Sequence, residues 1–306
     1  MTAGSRAAQP EREPPLHSIP AQWHGKPTVL RIALGNQLRR LREAREITCE
    51  AAGNAIRGSG AKISRLELGR VGFKERDVAD LLTLYGVTDK QQRDTFLTLA
   101  RQANTPGWWR QYGDVLPPWF ETYLGLEQAA SVLRIYEPQL VPALLQTEDC
   151  ARAIIRLRRL HDSAEEIDRH VALQMTRQDF LTQPGAPDLW VTLDEAVLRR
   201  PVGSREAQRA QLRHLIEMTE LPTITLQVVP FAVGGHVAAA GGPFTILRFA
   251  EPDLPDIVYL EHLTSALYLD KKRDTSDYLM VMDTLCVQAK SPDETVGFLY
   301  RVLAEE

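Results

Sequence analysis

The spacing of apolar positions changes along the chain from a helical period to a strand period. Residues 30–46 place Leu34, Leu38 and Leu41 three or four positions apart, which predicts an amphipathic first helix. Further helical patterns follow up to about residue 105. Beyond Pro184, short runs alternate apolar and polar residues, and this period predicts strands.

The N-terminal third predicts five short helices. Thr48 is a suitable N-cap for a second helix over 49–56, and Ser59 for a third that ends near residue 68. Gly69 can then adopt the left-handed conformation that ends a helix.

Two more helices complete this predicted domain. The fourth covers 74–86 and ends at a glycine. The fifth is predicted to begin with a capping box formed by Thr88 and Gln91, and it is expected to bury Phe96, Leu97 and Ala100.

The remaining two thirds combine helices with strands. Residues 104–119 contain three tryptophans among prolines and glycines, which indicates a packed junction more than a free linker. Ser163 and Glu166 predict another capping box. Helices are predicted at 121–136, 147–160, 163–181, 204–220, 275–288 and 292–304, and strands at 189–194, 223–229, 244–249, 256–260 and 266–270.

The sequence therefore predicts an α+β multidomain protein. Residues 1–27 are rich in proline and poor in apolar residues, and are expected to form a disordered tail. An all-α domain of five helices is expected over 28–105. Residues 106–306 are expected to form a mixed α/β domain with one mainly antiparallel sheet.

Charge is distributed unevenly between these two predicted domains. Residues 1–105 carry a net charge of +6, and the remaining residues carry −10. A compact basic module suits nucleic acid, and a larger acidic one suits another partner. Three unpaired cysteines and the lack of a signal peptide or long apolar run predict a cytoplasmic protein with no membrane span, cofactor or bound metal.

Residues 48–70, TCEAAGNAIRGSGAKISRLELGR, resemble the XRE, or Cro/C1-type, helix-turn-helix along their whole length. The matching positions are Thr48, Ala51, Ala52, Ile56, Ser59, the run 63–67 and the pair 69–70. The resemblance implies that the third helix enters the major groove of double-stranded DNA. It also implies a buried ion pair between Arg42 and Glu67.

The same resemblance assigns the DNA contacts. The base-contacting positions are Gly60, Ala61 and Arg65, and Arg65 can bind a guanine through both arms of its guanidinium group. Phosphate contacts then supply much of the affinity, and a homodimer on two half-sites would add to it. The full set of expected DNA-binding residues is Ser59, Gly60, Ala61, Lys62, Ser64, Arg65, Arg70 and Lys74.

From about residue 107 onward, the chain resembles the C-terminal domain of actinobacterial antitoxin-like regulators, a domain long without an assigned function. The matching stretches include GWW (107–109), YEPQLVPALLQTEDCARA (136–153), LDEAVLRRPVG (193–203) and GGPFTILRF (241–249). The resemblance implies a transcription regulator that binds a small companion protein encoded nearby and controls its own promoter.

Two alternatives remain open for the function. One is a ligand-sensing repressor with a small-molecule pocket in the C-terminal domain. The other is an interaction protein whose helix-turn-helix no longer binds DNA, for which the small residues Gly60 and Ala61 are the only support.

A candidate effector or partner site is expected at one edge of the sheet. Its residues lie at predicted strand ends or in a glycine-rich loop: Asp194, Glu195, His236, Glu261 and His262. Such a set can hold a metal or act as acid and base. However, the chain contains no HExxH, GxSxG or phosphate-loop spacing, so we predict no catalytic residues.

Overall fold

The computed structural model describes residues 27–239, 241–250 and 254–306. The chain divides into two compact units, the first ending at Thr105 and the second beginning at Pro106. The predicted disordered tail lies, except for Pro27, outside the described residues.

Within the described part of the first unit, five helices form as the sequence predicts. The first begins at Pro27, a residue type whose fixed φ suits the first helical turn. The helices are α1 (Pro27–Ala44), α2 (Cys49–Ala55), α3 (Gly60–Glu67), α4 (Glu75–Leu84) and α5 (Lys90–Ala103).

The predicted ends of α2 and α3 are confirmed. Thr48 accepts a hydrogen bond from a backbone N–H at the start of α2, at 3.1 Å. Ser59 does the same at the start of α3, at 3.3 Å. Gly69 has a φ of 65°, the left-handed conformation expected after α3.

The predicted start of α5 is wrong in detail. Asp89 is the N-cap, and its carboxylate accepts the N–H of Gln92 at 2.7 Å. An ionised carboxylate directly before the helix is favoured there by the helix dipole, so it takes the position predicted for Thr88. Leu97 is only partly buried, and Leu99 packs into the core in its place.

A buried ion pair joins α1 to α3. Arg42 donates two hydrogen bonds to the Glu67 carboxylate, at 2.6 and 2.9 Å, and both side chains are almost fully buried. Arg42 also donates to the carbonyl of Ile47 at 2.8 Å. The hydrogen bonds to Glu67 raise the pKa of Arg42 above its ordinary value, so the guanidinium group stays charged inside the unit.

Replacing Glu67 by Gln should destabilise the first unit by about 3 to 5 kcal/mol, because the Arg42 charge would lose its buried counter-charge. Amide hydrogen exchange over residues 27–105 of the full chain measures this local stability. Glu43→Gln is the matched control, since Glu43 is exposed on α1 and its loss should change little. Equal protection in the two variants would contradict the structural role of the pair.

The second unit contains helices and strands in alternation. The described helices are α6 (Pro118–Ala129), α7 (Glu148–Arg158), α8 (Ala164–Gln178), α9 (Glu195–Arg199), α10 (Arg205–Met218), α11 (Lys272–Gln288) and α12 (Pro292–Glu305). The described strands are β1 (Val132–Glu137), β2 (Asp188–Asp194), β3 (Ile224–Val229), β4 (Phe244–Arg248), β5 (Ile257–Glu261) and β6 (Ala266–Leu269). The predicted capping box of Ser163 and Glu166 begins α8.

Among the described residues, the six strands form one mixed sheet in the order β3-β2-β1-β4-β5-β6. Strands β1, β2 and β3 are parallel, whereas β4, β5 and β6 continue from β1 as antiparallel neighbours. The chain thus builds the sheet outward from β1 in one direction and then returns to the other side of β1.

The central strand β1 corrects the sequence analysis, which placed residues 121–136 in one helix. The helix ends at Ala129, and Val132–Glu137 enters the sheet between β2 and β4. Leu133, Ile135 and Tyr136 are all buried, so both faces of the strand are covered. A strand covered on both faces lacks the alternation that marks a half-exposed strand.

Helix α11 packs on one face of the sheet. On this face, Tyr136, Ile246 and Val258 pack with Met282 and Leu285 of α11. The aromatic segment after Pro106 belongs to a separate cluster of the same unit, made of Trp109, Tyr112, Leu116, Leu124 and Leu173. Within the described residues, no helix has the length and apolar character needed to cross a membrane.

Candidate nucleic-acid interface and a cavity in the second unit

The helix-turn-helix depends on a close approach between α2 and the start of α3. A Cβ atom on Gly53 would lie 2.5 Å from the carbonyl carbon of Ser59, and one on Gly60 would lie 3.2 Å from the backbone nitrogen of Glu50. The turn also holds Arg57 at a φ of 54°, which is unusual for a residue with a side chain. Gly60 therefore serves helix packing.

Helix α3 divides its residues between the core and the solvent. Ile63 and Leu66 are buried against the rest of the unit. Ala61, Ser64 and Arg65 are exposed and, at spacings of three and four, share one face of the helix. We call these three residues the exposed face of α3. Arg65 donates only a long hydrogen bond, 3.4 Å, to the carbonyl of Ala61.

Lys62, one of the expected DNA-binding residues, forms an ion pair within the first unit. Its Nζ lies 2.5 Å from Oδ2 of Asp77, a residue that is only 2% exposed. Since a buried carboxylate needs a counter-charge, Lys62 is occupied in joining α3 to α4. Lys62 therefore has a structural role, and its contact with DNA stays a prediction.

The other predicted contacts occupy the flanks of the motif. Ser59 is exposed but uses its side chain as the α3 cap. Lys74 is exposed directly before α4, and Arg70 is partly buried after Gly69. Arg57, which the sequence analysis did not single out, has a side chain that is 69% exposed in the turn and lies 3.7 Å from Asp80. It stands two residues before the cap of α3.

The five residues of the predicted effector site lie in two separate places in the structure. Asp194 caps α9 through the N–H of Ala196 and lies 3.6 Å from Nε2 of the buried His236. Glu195 accepts hydrogen bonds from Arg199 and from the backbone N–H of Phe231. Asp194, Glu195 and His236 therefore mainly stabilise the end of β2 and the loop that covers it.

The two remaining members lie at β5. His262 is exposed. Glu261 forms an ion pair with Arg158 at 3.0 Å and accepts a hydrogen bond from the hydroxyl group of Tyr259 at 3.2 Å. Across the described part of the chain, no group of three potential metal ligands comes together. The single site expected from the sequence does not form as one cluster.

A cavity of about 540 Å³ lies instead on the face of the sheet opposite α11. Its floor contains Ile135, Thr245 and Tyr259, which are register neighbours on β1, β4 and β5. Helices α6, α7 and α8 supply the walls. Phe120 stacks on Tyr123 at 5.5 Å between ring centroids, and Tyr123 meets Tyr259 at 4.1 Å.

Three carboxylates line this cavity and differ in their partners. Glu127 receives two hydrogen bonds from the buried Arg177, at 2.6 and 2.9 Å. Glu261 has Arg158 and Tyr259. The carboxylate of Glu137, at the end of β1, forms no hydrogen bond or ion pair with any residue that the structure describes. Burial, and then the charge of Glu261, raise the pKa of Glu137 to about 8.

Comparison with protein families identifies the second unit. A family model described as a domain of unknown function (DUF5753) matches residues 120–301. The chain belongs to this family. The DUF5753 domain includes the whole sheet and most of the cavity. A second model, described as a helix-turn-helix domain, matches residues 33–96. No curated protein and no solved structure matches the chain.

The helix-turn-helix match indicates a DNA-binding regulator, and it spans α2, α3 and the Arg42–Glu67 pair. The activity of the DUF5753 domain is not given by its family. Sequence reasoning missed the cavity because its carboxylates are far apart in the chain and because Glu137 lies on the strand mistaken for a helix.

Replacing Lys62 by Ala should destabilise the first unit by about 1 to 3 kcal/mol, because the buried Asp77 carboxylate loses its short hydrogen bond and keeps the longer ion pair with Arg76, at 3.7 Å. Hydrogen exchange of the α3 and α4 amides measures the loss. Lys74→Ala, which removes an exposed ammonium group, should stay within about 0.5 kcal/mol of the parent. If both variants behave alike, Lys62 has no structural role in joining α3 to α4.

Glu137 should make the free energy of unfolding of the DUF5753 domain depend on pH. Between the ordinary pKa of 4.5 and the raised value of about 8, the folded state keeps a proton that the unfolded state has released. Stability therefore falls as pH rises through this window. Glu137→Gln should abolish the fall and be more stable than the parent at pH 8.

Urea unfolding at several pH values measures this effect. Tryptophan fluorescence suits it, because four of the five tryptophans lie after Pro106. Burial lowers the pKa of His170 and His214, so the difference between parent and variant isolates Glu137 from the histidines. The exposed Glu165→Gln should follow the parent profile. Parallel profiles for all three proteins would refute the raised pKa.

Proposed function

We propose that the protein is a sequence-specific transcription regulator of the XRE, or Cro/C1, type that binds operator DNA as a homodimer. The observation that carries this proposal is the exposed face of α3. Ala61, Ser64 and Arg65 project from a helix whose opposite face is fixed by Ile63, Leu66 and the buried Glu67. A rigid helix with exposed polar and basic groups meets the requirement for major-groove recognition.

Arg65 is the main source of base discrimination in this proposal. Its guanidinium group is exposed, and releasing one long hydrogen bond to the Ala61 carbonyl leaves its donors available for a guanine. Ser64 can bond to several bases, and the methyl group of Ala61 can contact that of thymine. Gly60 is too close to α2 to add a contact of its own.

Phosphate contacts come from the flanks of the helix-turn-helix. Exposed Arg57 and Lys74 stand on either side of α3 in the chain, and Arg70 follows it. With Lys62 occupied by Asp77, fewer cations are available on α3 than the sequence suggests. Binding by two subunits to two half-sites therefore supplies affinity that one α3 cannot.

Arg65→Ala should reduce discrimination between the operator and an unrelated sequence by about 1 to 3 kcal/mol, because the contact that distinguishes guanine is lost. Competition gel shifts with DNA from upstream of the gene measure the ratio of the two affinities at several salt concentrations. Lys90→Ala, which removes a positive charge at the exposed start of α5, should preserve this ratio. An unchanged sequence preference in Arg65→Ala would exclude the assigned role, and no specific shift with the parent protein would exclude DNA regulation.

Two candidate roles remain for the DUF5753 domain. The antitoxin-like resemblance supports binding of a small companion protein and control of the protein's own promoter. The alternative is sensing of a small molecule, and a specific observation favours it: a cavity of about 540 Å³ is of the size that encloses small ligands in other proteins. In this second role, the ligand alters DNA binding.

A further inference from the structure

The cavity lies where the order of the strands reverses. The chain proceeds from β1 outward to β2 and β3, and then places β4 on the other side of β1. Glu137 is the last residue of β1 and lines the cavity at this point.

The wall of the cavity offers aromatic ring surfaces to a ligand. Trp119, Phe120, Tyr123 and Tyr259 all line it. The guanidinium group of Arg177 already lies over the rings of Phe120 and Tyr123, at 5.3 and 5.6 Å from their centroids, and Tyr123 and Tyr259 are each only 4% exposed. Flat apolar groups stack on aromatic rings, and Trp119 and Phe120 are the more exposed of the four. The lining therefore favours a ligand with an apolar body.

Most charges around the cavity neutralise one another. Glu127 and Arg177 form a buried bidentate pair, and Arg158 holds Glu261. Burial lowers the pKa of His170, which favours the neutral imidazole at neutral pH. Arg158 and Arg177 are thus already engaged, whereas Arg159, which follows α7, is exposed and forms no ion pair with a described residue.

Glu137 and Arg159 differ from the other charged groups of the described lining, because neither forms a hydrogen bond or ion pair with a described residue. The charges that act on Glu137 are those of Glu261 on β5, which raises its pKa, and Arg158 on α7, which lowers it. Arg158 lies 3.0 Å from Glu261, while no hydrogen bond or ion pair reaches Glu137. Glu137 is partly buried and its carboxyl group lacks a partner among the described residues, so it is available to pair with a cation that enters the cavity.

We propose that the cavity binds an amphipathic organic cation, whose apolar body stacks on the aromatic wall and whose protonated amine pairs with Glu137. The proposal rests on the ligand-sensing role suggested above for the DUF5753 domain. The recognised chemistry is a primary, secondary or tertiary ammonium group attached to a flat apolar body. No bond to the ligand is made or broken.

Binding of such a cation should release a proton. Below pH 8 the free Glu137 carboxyl is mostly protonated, and it must ionise to pair with the ammonium group. Affinity should therefore rise about tenfold per pH unit below that value and level off above it. The amine of the ligand keeps its own proton throughout this range, as an alkylammonium pKa lies near that of lysine.

A matched set of three fluorescent probes tests the class of ligand on the full-length protein. The probes are dansylcadaverine, dansyl-6-aminohexanoic acid and N-hexyl dansylamide, which carry an ammonium, a carboxylate and a methyl group at the end of similar chains. Entry into the cavity should shift dansyl emission to the blue. We expect dansylcadaverine to bind at least tenfold more tightly than the other two at pH 8, the difference that a charged hydrogen bond supplies.

Three variants locate the site. Glu137→Gln should lose about tenfold in dansylcadaverine affinity and lose the pH dependence, while Glu165→Gln, the same change on the exposed side of α8, should match the parent. Ala143→Trp, at the lining, should weaken all three probes by obstruction. Retained fluorescence of the unliganded protein and a cooperative urea unfolding transition in each variant confirm that it is folded.

Specific outcomes would overturn the proposal. Tighter binding of the carboxylate probe, equal binding of the neutral probe, or no binding of any probe to the folded parent would each exclude an organic cation as the ligand. Full dansylcadaverine affinity in Glu137→Gln would exclude the assigned pairing. Because probe fluorescence does not depend on DNA, failure here leaves the Arg65 gel-shift result, and the proposed regulation, standing by itself.

Discussion

A carboxylate or guanidinium group that folding removes from water must find an opposite charge, and this constraint determines the arrangement of both units. In the first unit, Arg42 and Glu67 satisfy each other across α1 and α3. In the second, Arg177 of α8 and Glu127 of α6 repeat the same bidentate geometry. Each pair fixes the relative position of two helices, because the planar guanidinium group meets a carboxylate in a defined orientation.

The constraint also explains how the recognition helix acts. Glu67 and Lys62 are used to attach α3 to α1 and α4, and Gly53 and Gly60 allow it to lie against α2. What remains for DNA is the exposed face, with Arg65 as its one long cation. A helix held on several sides loses little conformational entropy on binding, so a small number of base contacts can still discriminate.

The first unit could be predicted from sequence because its signals are local. Thr48, Ser59 and Gly69 each act within one helical turn of their own position, and periodicity within one helix identified Leu34 and Leu38 as core. The sequence analysis predicted the wrong N-cap for α5, because Asp89 caps the helix and Thr88 had been expected to. It also could not detect that Lys62 pairs with Asp77, since that contact depends on how α4 packs.

The second unit was less predictable because its important neighbours are distant in sequence. Strand β1 is covered on both faces, so its apolar residues match a helix and a strand equally well. Because β1 was predicted to be helical, the sequence analysis did not place Ile135 and Glu137 on the same face of a strand. It therefore did not identify the cavity that both residues line. Residues from α6 to β5 meet there only because β4 returns beside β1, and no local pattern encodes that step.

The unpaired state of Glu137 is informative because the same fold supplies partners elsewhere. Glu127 and Glu261, in the lining of the same cavity, both have an arginine, and the buried Glu195 has Arg199. An apolar residue at the end of β1 would avoid the cost of burying a charge, and glutamine would avoid the repulsion by Glu261. Departures from local consistency of this kind concentrate at functional sites, where binding supplies the missing interaction. A cationic ligand supplies the missing ion pair directly, inside the cavity that Glu137 lines.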